Sequence, residues 1–172
     1  MNRELVIETS LRKGDFRKLT YWNMFGKTKT IPAIFISMFI VGILIFAIGA
    51  GNTPTRVAGI FVMGAPLLGL LIVEFNIHTV NKRGHIEERT FGRITINDVG
   101  IRADADYLED PLIYNWRNIE GAYESDLFYI IFVNRVQTIT IRKTDISSED
   151  EKLLLWYLNN YIPKGKNHID GK

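Results

Sequence analysis

Hydrophobic positions follow two different rhythms along the chain. From Ile31 to Ala50 the sequence reads IPAIFISMFIVGILIFAIGA, twenty residues without a charge. A helix of that length rises about 30 Å, the thickness of a bilayer's hydrocarbon core. After GNTPTR comes VAGIFVMGAPLLGLLIV, Val57 to Val73, which extends through Glu74 to Ile77. The pattern predicts a two-helix transmembrane hairpin over 31–77, with the Glu74 carboxylate in its last turn reaching the headgroups. A cleaved signal peptide does not fit, because thirty residues precede the first apolar run and a second run follows at once. Ala47 with Gly51, and Ala65 with Gly69, are four apart and predict where the helix backbones approach. Pro66 removes a backbone donor and predicts a bend. Neither span carries an acid, base or amide in its middle, which argues against a proton or ion path.

Beyond about residue 84 the period drops to two. FGRITIND sets Ile94 and Ile96 on one face, a turn at Asp98-Val99-Gly100 follows with glycine suited to a positive φ, and IRADADY aligns Ile101, Ala103 and Ala105. PLIYNW, EGAYES, LFYIIFVN and VQTITIRK continue the pattern, with turns at Glu124-Ser125-Asp126 and Asn134-Arg135. Short strands joined by tight turns predict an antiparallel sheet curling into a barrel or sandwich. The final helix opens at Ser147 or Ser148, has Glu149, Asp150 and Glu151 in its first turn, and carries Leu154, Leu155, Leu158, Tyr161 and Ile162 as one stripe up to Pro163. It is placed as the plug of the sheet. Residues 84–163 thus form the second domain, and 164–172 are expected to be a flexible tail.

The first thirty residues combine a short strand, with Leu5 and Ile7 alternating against Val6 and Glu8, and an amphipathic helix over GDFRKLTYWNMFGK. Tyr21, Trp22 and Phe25 are the expected membrane-interface residues of that helix.

Charge orients these parts. Arg3, Arg12, Lys13, Arg17, Lys18, Lys27 and Lys29 precede the first span, Lys82, Arg83, Arg89 and Arg93 follow the second, and the connecting loop holds only Arg56. Positive flanks stay inside, so both termini are expected on the cytoplasmic side of a multi-pass membrane protein. The N-terminal basic surplus is expected to attract anionic lipid. The net charge of +2 and the slightly acidic balance after His78, thirteen basic against fifteen acidic residues, exclude a polycationic nucleic-acid binder. The absence of cysteine excludes a disulfide framework.

ITINDVGI, YNWRNI and ITIRKTDISSEDEKLLLWYL, placed after two N-terminal spans, resemble the YcxB-like family of small bacterial membrane proteins along nearly the whole chain. The resemblance implies an α+β membrane protein: a transmembrane hairpin plus a small antiparallel pleckstrin-homology-like β-barrel of about seven strands, capped by a C-terminal helix. Trp116 and Ile119 match the family's Trp-x-x-Ile motif, with Asn118 where an acidic residue often stands. The C-terminal domain supplies six strands, and residues 4–10 are expected to add the seventh or to join an edge. The family implies no catalytic residues.

Chemistry-bearing residues are sparse. His78 and His85 with Glu74, Glu87 and Glu88 lack a metal signature, and Asp104, Asp106, Glu109 and Asp110 lack the spacing of a calcium loop. Phosphoinositide recognition wants bases in the first hairpin, where the sequence has NDVG. The serines at 125, 147 and 148 are in turn or capping positions. The expected function is therefore non-enzymatic: a membrane-anchored protein-interaction module without cofactor or metal, engaging the bilayer and an unidentified protein, and compatible with a homo-oligomer. The alternative is an immunity or regulatory protein that neutralises a membrane-acting toxin or channel through its hairpin.

Overall fold

A computed structural model describes residues 4–27, 29–84, 92–105, 109–134 and 137–169. The expectations at Arg3, His85, Glu87, Glu88, Arg89, Asp106 and Arg135 lie outside the described residues. In chain order the elements are β1 (Leu5–Glu8), α1 (Asp15–Tyr21) continuing as a π-helical turn at Trp22–Gly26, α2 (Thr30–Ile48), α3 (Thr53–Gly84), β2 (Arg93–Ile96), β3 (Gly100–Asp104) and β4 (Leu112–Asn115). A 3-10 turn at Trp116–Asn118 leads to β5 (Gly121–Glu124), β6 (Phe128–Phe132), β7 (Thr138–Arg142), a second 3-10 turn, α4 (Ser148–Tyr161) and β8 (Asn167–His168). The chain forms two compact units, Met1–Asp15 with Ile86–Lys172, and Phe16–His85.

The first unit is α+β. Its sheets run β1-β2-β3-β4 and β7-β6-β5-β8, antiparallel throughout except for β8 on β5. The N-terminal strand joins the edge: Leu5 pairs with Ile96 and Ile7 with Ile94, and β2 in turn sets Ile96 on Ile101 and Ile94 on Ala103. All six side chains are buried, because alternation puts every second residue on the inner face. The opposite row, Val6, Thr95, Arg102 and Ile113, is the outer face. The inner rows share one core with Ala122, Ile131, Ile139 and Ile141 of the second sheet and Leu154, Tyr157 and Leu158 of α4. Ser147 caps α4, its Oγ accepting from the Asp150 N–H at 3.1 Å.

Three expectations need correction. The sheets do not close into a barrel. No ladder joins β4 to β5, because Trp116–Asn118 turns the chain between them, and β4 is a half-exposed edge. Gly100 has no positive φ; only Gly14 and Gly51 do among the described residues. Glycine is required there because a Cβ would collide with the Tyr114 carbonyl oxygen of β4, while the turn itself is fixed by Asn97, whose Oδ1 accepts from the Val99 and Gly100 N–H groups at 3.0 and 3.1 Å. The tail is not loose at its start. The Ala122 N–H donates to the Lys166 carbonyl at 3.0 Å, and Asn167 and His168 pair with Ala122 and Tyr123.

The arm between β1 and α1 is tied to β7 by a buried cluster. Asp15, 1 % exposed, forms an ion pair with Arg142, whose guanidinium lies 5.4 Å from the Phe128 ring centre. The Arg12 N–H donates to Asp15 Oδ2 at 2.8 Å and the Arg142 N–H to Thr9 Oγ1 at 3.3 Å. Thr9 donates to Asp145 at 3.2 Å, and Arg12 pairs with the same carboxylate at 3.1 Å.

The second unit is built on α2 and α3. Both are long and apolar enough to cross a membrane, yet only 6 % and 11 % of their most apolar stretches are buried. The multi-pass expectation thus reduces to two candidate spans among the described residues. They pack antiparallel through glycine. A Cβ on Gly42 would stand 2.7 Å from the Met63 nitrogen and 2.9 Å from the Gly59 carbonyl oxygen, and one on Gly59 would stand 2.6 Å from the Phe46 nitrogen.

Two outcomes follow from these contacts. Asp15→Ala leaves the Arg142 charge buried and should cost about 3–5 kcal/mol in urea unfolding followed by tryptophan fluorescence, whereas Asp15→Leu combined with Arg142→Met should recover most of the loss. Gly59→Leu should separate the helices and lower stability in detergent by about 1–3 kcal/mol. Gly64→Leu, where a Cβ meets no atom within 4 Å, should be neutral in the same melt.

Candidate functional site

Asn97 positions more than a turn. Its carbonyl accepts the Trp116 indole N–H at 2.8 Å and so fixes the plane of a ring that is 7 % exposed. Residues 157 and 161 lie one turn apart on α4, and the two tyrosines stack on Trp116, with ring centres 6.2 and 5.1 Å away and interplanar angles of 10° and 15°. Trp156, on the adjoining face of α4, meets Tyr157 edge-on at 5.1 Å and remains 51 % exposed. Ile119 is buried, with its N–H bonded to the Trp116 carbonyl at 3.2 Å. The Trp116 and Ile119 pair thus anchors the link between the two sheets.

A cleft of about 680 Å³ opens beside this stack, between the β2–β3 turn, the Trp116–Asn118 turn and the segment after α4. Its apolar lining is Val99, Trp116, Ile119, Tyr161 and Pro163, and its polar rim is Asp98, Asn115, Arg117, Asn118, Asn160 and Lys166. Arg117 and Lys166 are exposed and make no ion pair among the described residues. The cleft thus combines an apolar, aromatic floor with a rim of cations and amides, which offers stacking area and hydrogen-bond donors. Asp98 is the acid at the rim, and burial, then the Asp98 charge, pushes the Tyr157 hydroxyl above its ordinary range.

A second polar group lies under the start of α4. The Tyr129 hydroxyl donates to Glu151 at 2.6 Å, and Lys143 pairs with Glu124 at 2.6 Å while lying 5.1 Å from the Tyr129 ring centre. Tyr129 is 3 % exposed. Burial first, then the bond to Glu151 and the charge of Glu124, push its hydroxyl far above the ordinary tyrosine value. Both carboxylates of the group are thus engaged, Glu151 by Tyr129 and Glu124 by Lys143.

The expected interface residues lie in the second unit. The Tyr21 hydroxyl donates to Glu74 at 2.7 Å, beside Arg17, which reaches the same oxygen at 2.8 Å through Nε. Tyr21 stacks on Phe25 at 5.9 Å, and Phe25 meets Phe35 of α2 edge-on at 5.9 Å. Trp22 lies over Gly26, where a Cβ would come within 2.7 Å of its ring. The expected packing residues scatter. Ala47 is exposed, Gly51 sits in the turn with φ +94°, Ala65 is half-buried, and a Cβ on Gly69 would make ordinary contact with Phe35 at 3.7 Å. Gly42 and Gly59 were missed. Gly42 is the buried residue of α2, and a second buried glycine, Gly49, caps that helix seven residues on.

Of the candidate metal ligands, His78 is exposed, Asp104 ends β3 bonded to Arg102 at 3.1 Å, and Glu109 and Asp110 are exposed. Among the described residues no group of three His, Asp or Glu side chains is placed to hold a metal. No family model, curated protein or solved structure matches this chain.

The Tyr129 environment has a pH signature. A raised hydroxyl pKa favours the neutral form in the folded state, so this contribution is fully present below the ordinary value of about 10 and is lost as pH rises above it. Unfolding free energy of the wild type should fall more steeply above about pH 10 than that of Tyr129→Phe, measured by urea titration at several pH values. Tyr114 and Tyr157, also raised by burial, act alike in both proteins.

Proposed function

We propose that this chain is a non-enzymatic, membrane-anchored protein-interaction module. The observation that carries the reading is the pair of apolar helices, nine-tenths uncovered, joined to a compact sheet unit with an aromatic cleft. Side chains such as Phe61, Leu67, Leu71 and Phe75 are between 63 % and 71 % exposed. A hydrocarbon environment removes the cost of that surface, about 25 cal/mol per Å² in water.

Chain topology supports one face for the sheet unit. Glu8 and Arg93 are direct partners across β1 and β2, so the chain leaves and rejoins the unit at one place. A hairpin of two spans is consistent with this, and the basic flanks support the reading that both termini are in the cytoplasm, in a bacterial inner membrane. Membership of the YcxB-like family and a pleckstrin-homology-like domain are parts of the same proposal. They are supported by a four-stranded sheet, three consecutive strands in a second sheet and a C-terminal helix on the shared core. Partner recognition is assigned to the cleft, where half-buried Tyr161 and exposed Arg117, with exposed Trp156 nearby on α4, belong to the residue types that dominate protein interfaces.

Two measurements test the reading. The protein should stay in the membrane pellet after alkaline carbonate extraction, and recovery in the supernatant would end the proposal. Crosslinked partners recovered from native membranes should be lost in a Trp156→Ala, Arg117→Ala variant and kept when α2 and α3 are exchanged for unrelated spans. The reverse pattern would favour the immunity or regulatory reading, with recognition in the hairpin.

A further inference from the structure

We infer that the end of the hairpin where α2 begins and α3 finishes is a binding belt for anionic phospholipid headgroups. The inference rests on the membrane reading above and adds a lipid class and the residues that select it.

Residues 16–29 contain Arg17, Lys18, Lys27 and Lys29 and no acid. The last turn of α3 adds Lys82 and Arg83. These groups share one end of the hairpin, because Gly42 faces Gly59 and Gly69 faces Phe35, so the start of α2 lies towards the later half of α3. The nearest acid in that half is Glu74, and its carboxylate is already engaged by Arg17 and the Tyr21 hydroxyl. Asp15, the acid next before residue 16, is engaged with Arg142 inside the other unit. Glu74 is the one acid between residues 16 and 84, and Lys29, Lys82 and Arg83 are exposed and make no ion pair among the described residues.

Position selects the ligand. α2 has 19 residues and so spans about 28 Å, close to a hydrocarbon core, with Lys29 at the residue where the apolar stretch begins. Tyr21 and Trp22 are half-buried in the same segment, as residues at the headgroup level are. A phosphodiester at that depth meets Lys29, and Lys82 and Arg83 follow further along α3 towards the same end, none of the three in an ion pair among the described residues. The opposite end differs. There the first turn of α3 offers Arg56, which lies 5.7 Å from the Phe46 ring centre, and Ile48 is 80 % exposed. One end of the hairpin suits anionic headgroups and the other does not.

The test uses full-length protein reconstituted in phosphatidylcholine vesicles with trace spin-labelled phosphatidylglycerol or spin-labelled phosphatidylcholine, at low salt. Electron paramagnetic resonance reads the motionally restricted fraction of each label. Phosphatidylglycerol should be preferred by about fivefold or more, the effect of one well-placed cation. The preference should shrink at high salt and approach unity in the Lys29→Gln, Lys82→Gln, Arg83→Gln variant, which still restricts phosphatidylcholine. Equal restriction of both labels by the inserted wild type overturns the lipid assignment alone. Restriction of neither label, with the protein outside the vesicles, overturns the membrane reading together with it. A preference unchanged in the triple variant overturns the choice of residues.

Discussion

The pairing of Leu5–Glu8 with Arg93–Ile96 is the constraint on which the architecture depends. It makes the whole apolar hairpin a connection between two neighbouring strands. Closing so long a connection costs conformational entropy, but the cost grows only logarithmically with length. Leu5 and Ile7 offset it by burial beside Ile94 and Ile96, and the Asp15–Arg142 pair with Thr9, Arg12 and Asp145 ties down the arm that follows. Without those contacts the first sheet would end at β2 and leave the inner side chains of that strand uncovered.

The second unit relies on a different economy. Its two helices make contact by close backbone approach. Gly42 and Gly59 allow it, and each would clash with the facing backbone if it carried a Cβ. The polar exception, Glu74, is answered within its own unit by Arg17 and Tyr21, both contributed by α1. That arrangement makes α1 part of the hairpin's packing as well as an amphipathic lead-in.

The cleft beside Trp116 is assembled from pieces that are ordinary separately. Trp116 reads as a strand-end aromatic, Tyr161 as part of a helix stripe that leaves out Tyr157, and Asn97 as a turn residue. Their conjunction depends on the Trp116 indole bond to the Asn97 carbonyl and on α4 lying against the 3-10 turn. A barrel was a reasonable expectation from six alternating strands. Period-two patterning specifies which face is buried but is silent on which edges pair, and here the turn at Trp116–Asn118 separates β4 from β5. Gly100 shows the same limit: its presence signalled a tight place, but the tightness is a neighbouring carbonyl across the sheet, not a left-handed backbone.

Local composition by itself determined the two long apolar helices, the strand at Leu5–Glu8, the succession of short strands and the capped final helix. Each of these depends on side-chain periodicity or on residues a few positions apart, and that information is written along the chain. Only the tertiary structure decided that β8 returns to β5, that glycines 42 and 59 face one another, that the sheets stay open, and which charges are already paired. Those outcomes depend on distances between residues far apart in sequence. Burial and Coulomb energies are set by such distances, and order along the chain does not encode them directly.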